Sequence, residues 1–357
     1  MKKILDILYS TRLTAVLFFV FAIAMGVATF IENDFGTQTS KALVYNTWWF
    51  ELIMGFFVIN FFGNIFRYRL YRKEKWGVLL FHASFLLILI GAGVTRYISH
   101  EGIMIIDEGE TTNTFFSDIN YLNVVVDNNE FQKETNNKLL LSAWGSNSAK
   151  FTEVFQPKKD GKQHEITFNL VDYIPWSEKK LVLDENGVEH LFLVESSSGS
   201  RHEHYIKRGT TQNIHNILVS FDVPENNASV NFFYEGDNLK MVSKNNGDWL
   251  RMADQKKGQI VKDSAQHFQF LTLHTIKGLQ FVIPKSPEKG IMKTLAGEKD
   301  NKKYDTVIFD ITANEETKRV EFYGGQFNVD NVEEFSLGDL NFRAWYGAKK
   351  RYTPFKV

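Results

Sequence analysis

Three long apolar runs open the chain, and no run of that length follows them. Leu13 to Ile31, LTAVLFFVFAIAMGVATFI, carries no charge and matches the roughly 20 apolar residues that cross a bilayer core. Trp48 to Phe66 forms the second run and Trp76 to Ile98 the third. Lys2, Lys3 and Arg12 precede the first run as they would in a signal peptide. That run is longer than a signal's apolar region and no small-residue cleavage site follows it, so it is read as a retained span. The second run holds Glu51, Asn60 and Asn64, which predicts packing against other helices rather than lipid on all sides.

The loops between the runs set an orientation. Residues 67 to 75 carry Arg67, Arg69, Arg72, Lys73 and Lys75 against Glu74 alone, whereas 32 to 47 has Lys41 as its one base. The positive-inside rule puts the N-terminus and the basic loop in the cytoplasm and everything after Arg96 outside. Trp48 and Trp49 then mark the outer boundary and Trp76 the inner one, as an aromatic belt does.

From about residue 99 the pattern changes to short alternating runs between turn signals. Ile103-MIID, Tyr121-LNVVVD, Lys138-LLLSAW, Glu165-ITFNLVDYI, Asn216-ILVSFDV, Phe268-QFLTLHTI, Thr306-VIFDIT, Glu321-FYG and Asn341-FRAWYGA read as strands. Pro224-ENNAS, Lys244-NNGDW and Gly297-EKDNKK read as loops. The fold class expected is an integral membrane domain of three helices, 1–98, followed by a large exported antiparallel β-sandwich or barrel-like domain, 99–357. The ending, Tyr352-TPFKV, reads like the middle of a β-rich region, as in a chain split from a partner or cut before a further span.

Composition narrows the chemistry. The formal net charge of −1 gives no sign of nucleic-acid binding. There is no cysteine, so disulfides, thiol redox chemistry and thiolate metal sites are excluded from this chain. No nucleophile elbow, phosphate-binding loop or dinucleotide fingerprint is present.

One ionisable group stands out. His82 lies inside the third run, where an ionisable side chain is costly and marks function. Neutral imidazole is a common metal and haem-iron ligand and also relays protons. Its helical face continues through Phe85, Leu86, Leu89 and Gly93, and a neighbouring face carries the small residues Ser84, Gly91 and Thr95. Two readings stand beside each other: a ligand or relay, or a histidine tied to a backbone carbonyl. The spans hold no second histidine, so a six-coordinate haem iron would need a ligand from a partner.

His202 and His204, in Arg201-HEHY, form an H-x-H pair without an evident third metal ligand. His100 sits at the outer boundary, and Asp107-Glu108-Gly109-Glu110 reads as a solvated turn. His164, His190, His215, His267 and His274 show no metal-ligand spacing.

This layout resembles the ResB/CcsB family of System II cytochrome c biogenesis proteins. The likeness rests on the basic loop, the third span Leu80-FHASFLLILIGAG, Glu108-Gly-Glu-Thr111, the large β domain and the closing Trp345-YGAKKRYTPF. The resemblance implies a subunit that exports haem b and assists its ligation to the C-x-x-C-H thiols of apocytochrome c. It implies His82 as an axial ligand of haem iron in the third span, and a CcsA/ResC-like membrane partner that carries the other ligands and the catalytic half. It also implies a bacterial cytoplasmic membrane location. Trp48-Trp49 does not match the partner's tryptophan-rich segment. Two other classes are consistent with the residues: a non-enzymatic membrane-anchored β-sandwich binding or scaffold protein, and a proton-coupled membrane subunit in which His82 relays protons.

Overall fold

The computed structural model describes residues 2–156, 163–196, 201–224, 227–300, 303–329 and 331–357. Five helices come first: α1 (Lys2–Leu8), α2 (Thr11–Phe35), α3 (Thr37–Ser40, continued by a π-helical turn Lys41–Tyr45), α4 (Trp48–Arg67) and α5 (Trp76–Tyr97). Three of them, α2, α4 and the helix ending at Tyr97, are long and apolar enough to cross a membrane. They coincide closely with the runs expected at 13–31, 48–66 and 76–98. The break between α1 and α2 is set by Ser10, whose hydroxyl accepts from Leu13 N at 3.1 Å and caps α2.

Asn60 explains how α4 is held. Buried on α4, its amide donates to Leu8 O at 2.7 Å and Ser10 O at 3.1 Å. Its carbonyl accepts from Thr14 Oγ1 at 2.6 Å and Asn64 Nδ2 at 3.0 Å. In hydrocarbon, backbone carbonyls freed at a helix break need such partners. Asn60 and Asn64 therefore face the bundle, as their polarity implied. Of the paired tryptophans, Trp48 is 72% exposed and suits a boundary anchor, whereas Trp49 packs into the helix core beside Phe50.

Beyond α5, the described residues form strands and no α-helix. The chain forms two compact units, Met1–Glu178 with Leu295–Val357, and Lys179–Thr294. The single region expected from 99 to 357 is thus interrupted by an inserted unit.

In the first unit, one sheet runs Gly102–Ile103, Thr114–Asp127, Leu340–Tyr352 and Glu333–Leu337, with Gln132–Lys138 on the other edge of Thr114–Asp127. A second sheet runs Glu316–Gly324, Asp305–Ala313, His164–Ile174 and Lys150–Phe155. Alternate residues from both, among them Leu122, Val124, Phe168, Phe309, Phe322 and Phe342, meet in one buried cluster, which makes a sandwich. The α3 segment joins this sandwich to the helices. Gln38 Nε2 donates to Asp118 O at 2.7 Å, Lys41 pairs with Asp118 at 2.7 Å, and Phe35 stacks on Trp144 at 5.7 Å.

The inserted unit is a second sandwich. Its larger sheet includes Ser177–Glu195, His202–Lys207, Thr272–Ile276 and Leu279–Val282, and its smaller sheet Thr210–Ile214, Ile217–Phe221, Val230–Glu235 and Asn238–Ser243. Phe221, Phe232, Phe281 and Leu193 fill the space between.

Three expectations need correction. Lys138-LLLSAW is not a strand beyond Lys138. Leu139 and Leu141 are buried as a strand's apolar positions would be, but the Asn147 side chain accepts from Ser142 N and donates to Ser142 O and turns the chain. Ile103-MIID pairs only at Gly102–Ile103. The pairing is not wholly antiparallel: Ile217–Phe221 and Val230–Glu235 run parallel, Val230 opposite Val219. The expected loop Pro224-ENNAS falls partly outside the described residues.

Candidate functional site

His82 is half-buried on α5. Its Nδ1 lies 2.9 Å from Val78 O, one turn back. A carbonyl only accepts, so Nδ1 carries the proton and the neutral ring keeps its lone pair on Nε2. That is the tautomer in which histidines ligate metals through Nε2, the other nitrogen being held by a backbone carbonyl. The bond is also what a merely satisfied membrane histidine would make. The ring packs edge-on against Phe61 of α4 at 5.5 Å and Phe81 at 6.0 Å, while Phe61 and Phe85 stack at 5.0 Å. Aromatic walls of this kind fix the imidazole's rotation without using its free nitrogen.

The rest of α5 is loosely covered. It has no fully buried residue, and between His82 and its outer end its Phe85–Leu86–Leu89 stripe packs against α2 and α4. The small residue Gly91 has open space around it, and Ser84 satisfies its hydroxyl on Phe81 O at 2.8 Å. Nothing among the described residues packs into the small-residue face.

At the outer end of α5, Arg96 and Tyr97 both donate to Glu51 Oε1 of α4, Tyr97 at 2.7 Å, and Arg96 also donates to Tyr45 O. These bonds close one side of a cavity of about 650 Å³ between α4, α5, the α3 segment and the edge of the first sheet. His100 lines this cavity, its Nδ1 2.9 Å from Ser99 O. Asp107 to Glu110 make a turn in which Glu110 N donates to Asp107 O at 3.0 Å and Gly109 takes φ 83°, as a solvated turn should.

Sequence spacing missed the grouping of charged side chains in the inserted unit. His202 pairs opposite Glu195, whose side chain is fully buried. His215 is the first residue of a two-residue hairpin turn, φ 48°, and its Nε2 comes within 3.0 Å of Glu195 Oε1. His204 Nε2 is 3.6 Å from the same oxygen, and burial holds the His204 pKa below its ordinary value. His204 and His215 thus meet at one carboxylate, with the His202 ring 6.1 Å from that of His215, a grouping produced by strand pairing and not by local spacing. Among the described residues, no group of three or more His, Asp or Glu side chains is arranged to hold a metal ion.

Burial also acts on His274, which stacks between Phe268 at 4.8 Å and Phe281 at 5.3 Å and has its pKa lowered to about 4. Asp305 accepts from Tyr173 Oη at 2.9 Å and Trp176 N at 2.8 Å, and its pKa is raised by burial. Each of these two fixes a core neighbour, and neither lines the cavity.

The model of the ResB-like family matches residues 72–167, from the basic loop through α5 to the strand His164–Ile174. Protein NrfI of Wolinella succinogenes is 42% identical over 129 residues. That match takes in 36% of this chain and 14% of NrfI, so the chain spans a small part of the relative it resembles.

Proposed function

We propose that this chain, whose residues 72–167 match the model of the ResB-like family and which is similar to NrfI over 129 residues, handles haem for a System II cytochrome c synthase. Its role in that reading is to assist passage of haem b across the bacterial cytoplasmic membrane and its delivery to the C-x-x-C-H thiols of apocytochrome c. The family match over residues 72–167 and the likeness to NrfI support the coarser role, in cytochrome c biogenesis. The observation that supports the finer one is His82: a single imidazole on a membrane helix, its Nδ1–H tied to Val78 O and its Nε2 left as the lone-pair nitrogen.

In this reading haem is substrate, not a resident group. Nε2 of His82 ligates the iron on one face, and Phe61 and Phe81 hold the ring upright. A CcsA/ResC-like membrane subunit supplies the opposite ligand, and the uncovered face of α5 is where its helices would dock. The N-terminus and the 67–75 loop lie in the cytoplasm and both sandwiches outside. Thioether formation adds each substrate S–H across a haem vinyl group, sulfur to one carbon and hydrogen to the other, with no net electron transfer. This chain has no thiol to compete for the vinyl groups.

The test is covalent haem on a reporter apocytochrome, co-expressed with this chain and a CcsA/ResC-like partner in cells lacking their own synthase. His82→Ala is expected to cut haem-stained product at least about tenfold, the order of effect of losing a positioned ligand. Unchanged product with equal amounts of protein would remove His82 from the haem path.

A further inference from the structure

The cavity at the outer end of α4 and α5 is walled by two kinds of surface. Its floor is apolar: Phe50 and Met54 from α4, Leu89 and Ala92 from α5. Its roof is charged and comes from the first sheet and the α3 segment, through Lys41, Asp118, Lys138 and Arg351. The floor belongs to helices long and apolar enough to cross a membrane, and the roof to a sandwich with a polar surface. The cavity therefore straddles the boundary between hydrocarbon and water. Its volume of about 650 Å³ falls within the roughly 300–1,000 Å³ of small-molecule sites.

The charges do not cancel. Asp118 is committed to Lys41 at 2.7 Å, and Glu51 to Arg96 and Tyr97. That leaves Lys138 and Arg351, facing the Glu101 carboxylate and Asp118, which gives one oxygen to Lys41 and keeps the other unbonded. Among the described residues neither cation makes a hydrogen bond or salt bridge. Both lie on strands flanking Thr114–Asp127, Lys138 opposite Tyr121 and Arg351 opposite Phe115, so the sheet brings them to the cavity from two sides. Loss of hydration and the positive charges of Arg96 and Lys41 hold the Lys138 ammonium below its usual pKa, with Asp118 opposing. An anion entering here would replace lost water and screen that repulsion.

We infer that this cavity binds the acidic head group of an amphipathic molecule. Lys138 and Arg351 take its phosphate or carboxylate, and its apolar body lies along Phe50, Met54 and Leu89. Two sources share this chemistry, an anionic membrane lipid and a porphyrin with propionate side chains. The inference stands apart from the ligand role of His82. Leu89, the nearest lining residue on α5, is about 10 Å further along the helix axis.

The experiment is binding of three probes to the purified full chain in neutral detergent: phosphatidylglycerol, phosphatidylcholine and haem. Each is titrated against wild type and Lys138→Gln/Arg351→Gln, and haem also in a His82→Ala background so that the membrane histidine does not contribute. The wild type is expected to prefer at least one acidic probe over phosphatidylcholine. The double variant is expected to lose that preference, about tenfold in affinity. Loss for phosphatidylglycerol identifies a lipid phosphate, and loss for haem identifies porphyrin carboxylates. Equal binding of both acidic probes by the double variant and wild type overturns the proposal, as does a wild type that does not discriminate phosphatidylglycerol or haem from phosphatidylcholine. If the double variant does not fold, Gly93→Leu decides by the same criteria. Gly93 lines the cavity with open space around it, so leucine there fills the floor and leaves every charge in place.

Discussion

Helices α4 and α5 are neighbours of similar length, and the protein treats them differently. In α4, Phe50, Ile53, Phe57, Asn60, Phe61, Gly63 and Asn64 are buried, and the Asn60 clasp ties it to the break between α1 and α2. In α5 no residue is buried, yet it carries the one histidine of the spans. Polar groups in α4 are spent on holding the bundle together. The polar group in α5 is held in place by its own helix and has a nitrogen to spare. The contrast separates a helix enclosed by its neighbours from one that leaves most of its surface uncovered.

The inserted unit gives a scale for buried polar groups that lack partners. His274 is stacked between two phenylalanines with Nδ1 unbonded, and its pKa of about 4 in the fold lies below the 6.5 of an unfolded histidine. A depressed histidine favours the neutral form, so its contribution is fully present above pH 6.5 and is lost as pH falls toward 4. Chemical unfolding followed between those values should show about 3 kcal/mol lost through this residue. His274→Phe should remove that share of the acid sensitivity. An identical pH profile in the variant would mean the ring is not shielded.

Asn60→Leu should come next. It removes the side-chain donor from Leu8 O and the acceptor from Asn64 Nδ2, while Thr14 Oγ1 and Ser10 O retain their bond to each other and Ser10 O that from the Thr14 N–H, at about 2 kcal/mol to the bundle. Steric-trap unfolding in bicelles would measure it. Gly63→Ala tests the same helix by volume: a methyl there would sit 1.9 Å from the Tyr9 ring, and displacing that ring should cost about 1.5 kcal/mol. The smallest effect belongs to α5. Leu87 is 70% exposed, so Leu87→Ala should change the stability of the isolated chain by less than about 0.5 kcal/mol. It should cost more in the presence of a CcsA/ResC-like subunit. Equal costs for Asn60→Leu and Leu87→Ala in the isolated chain would erase the distinction between the two helices.

The spans were legible because some twenty uninterrupted apolar residues have few structures open to them. The short α1 and the α3 segment were not. Their helicity depends on contacts far along the chain, Asn60 on Leu8 O and Gln38 on Asp118 O. Strands with clean alternation, such as Thr306-VIFDIT, were readable. The strand Ser177–Glu195 was missed because Asp184-Glu-Asn-Gly187 reads as a turn. Gly187 instead keeps the strand extended where it passes the Gly290 backbone, which would lie 2.6 Å from any added Cβ. His82 was readable because a histidine is conspicuous in hydrocarbon. The convergence of His204 and His215 on Glu195, beside His202, was not, since strand pairing and a hairpin turn create it. The cavity under Lys138 and Arg351 was equally invisible, because residues more than two hundred positions apart line it.

The most direct measurement is the haem content and reduced absorption spectrum of this protein, purified from membranes with the proposed CcsA/ResC-like partner, for wild type and His82→Ala. The account predicts haem with a bis-histidine type of spectrum in wild type, lost or altered in the variant and restored by added imidazole. Equal haem with the same spectrum in both would contradict it, as would no haem in either with the partner folded and bound.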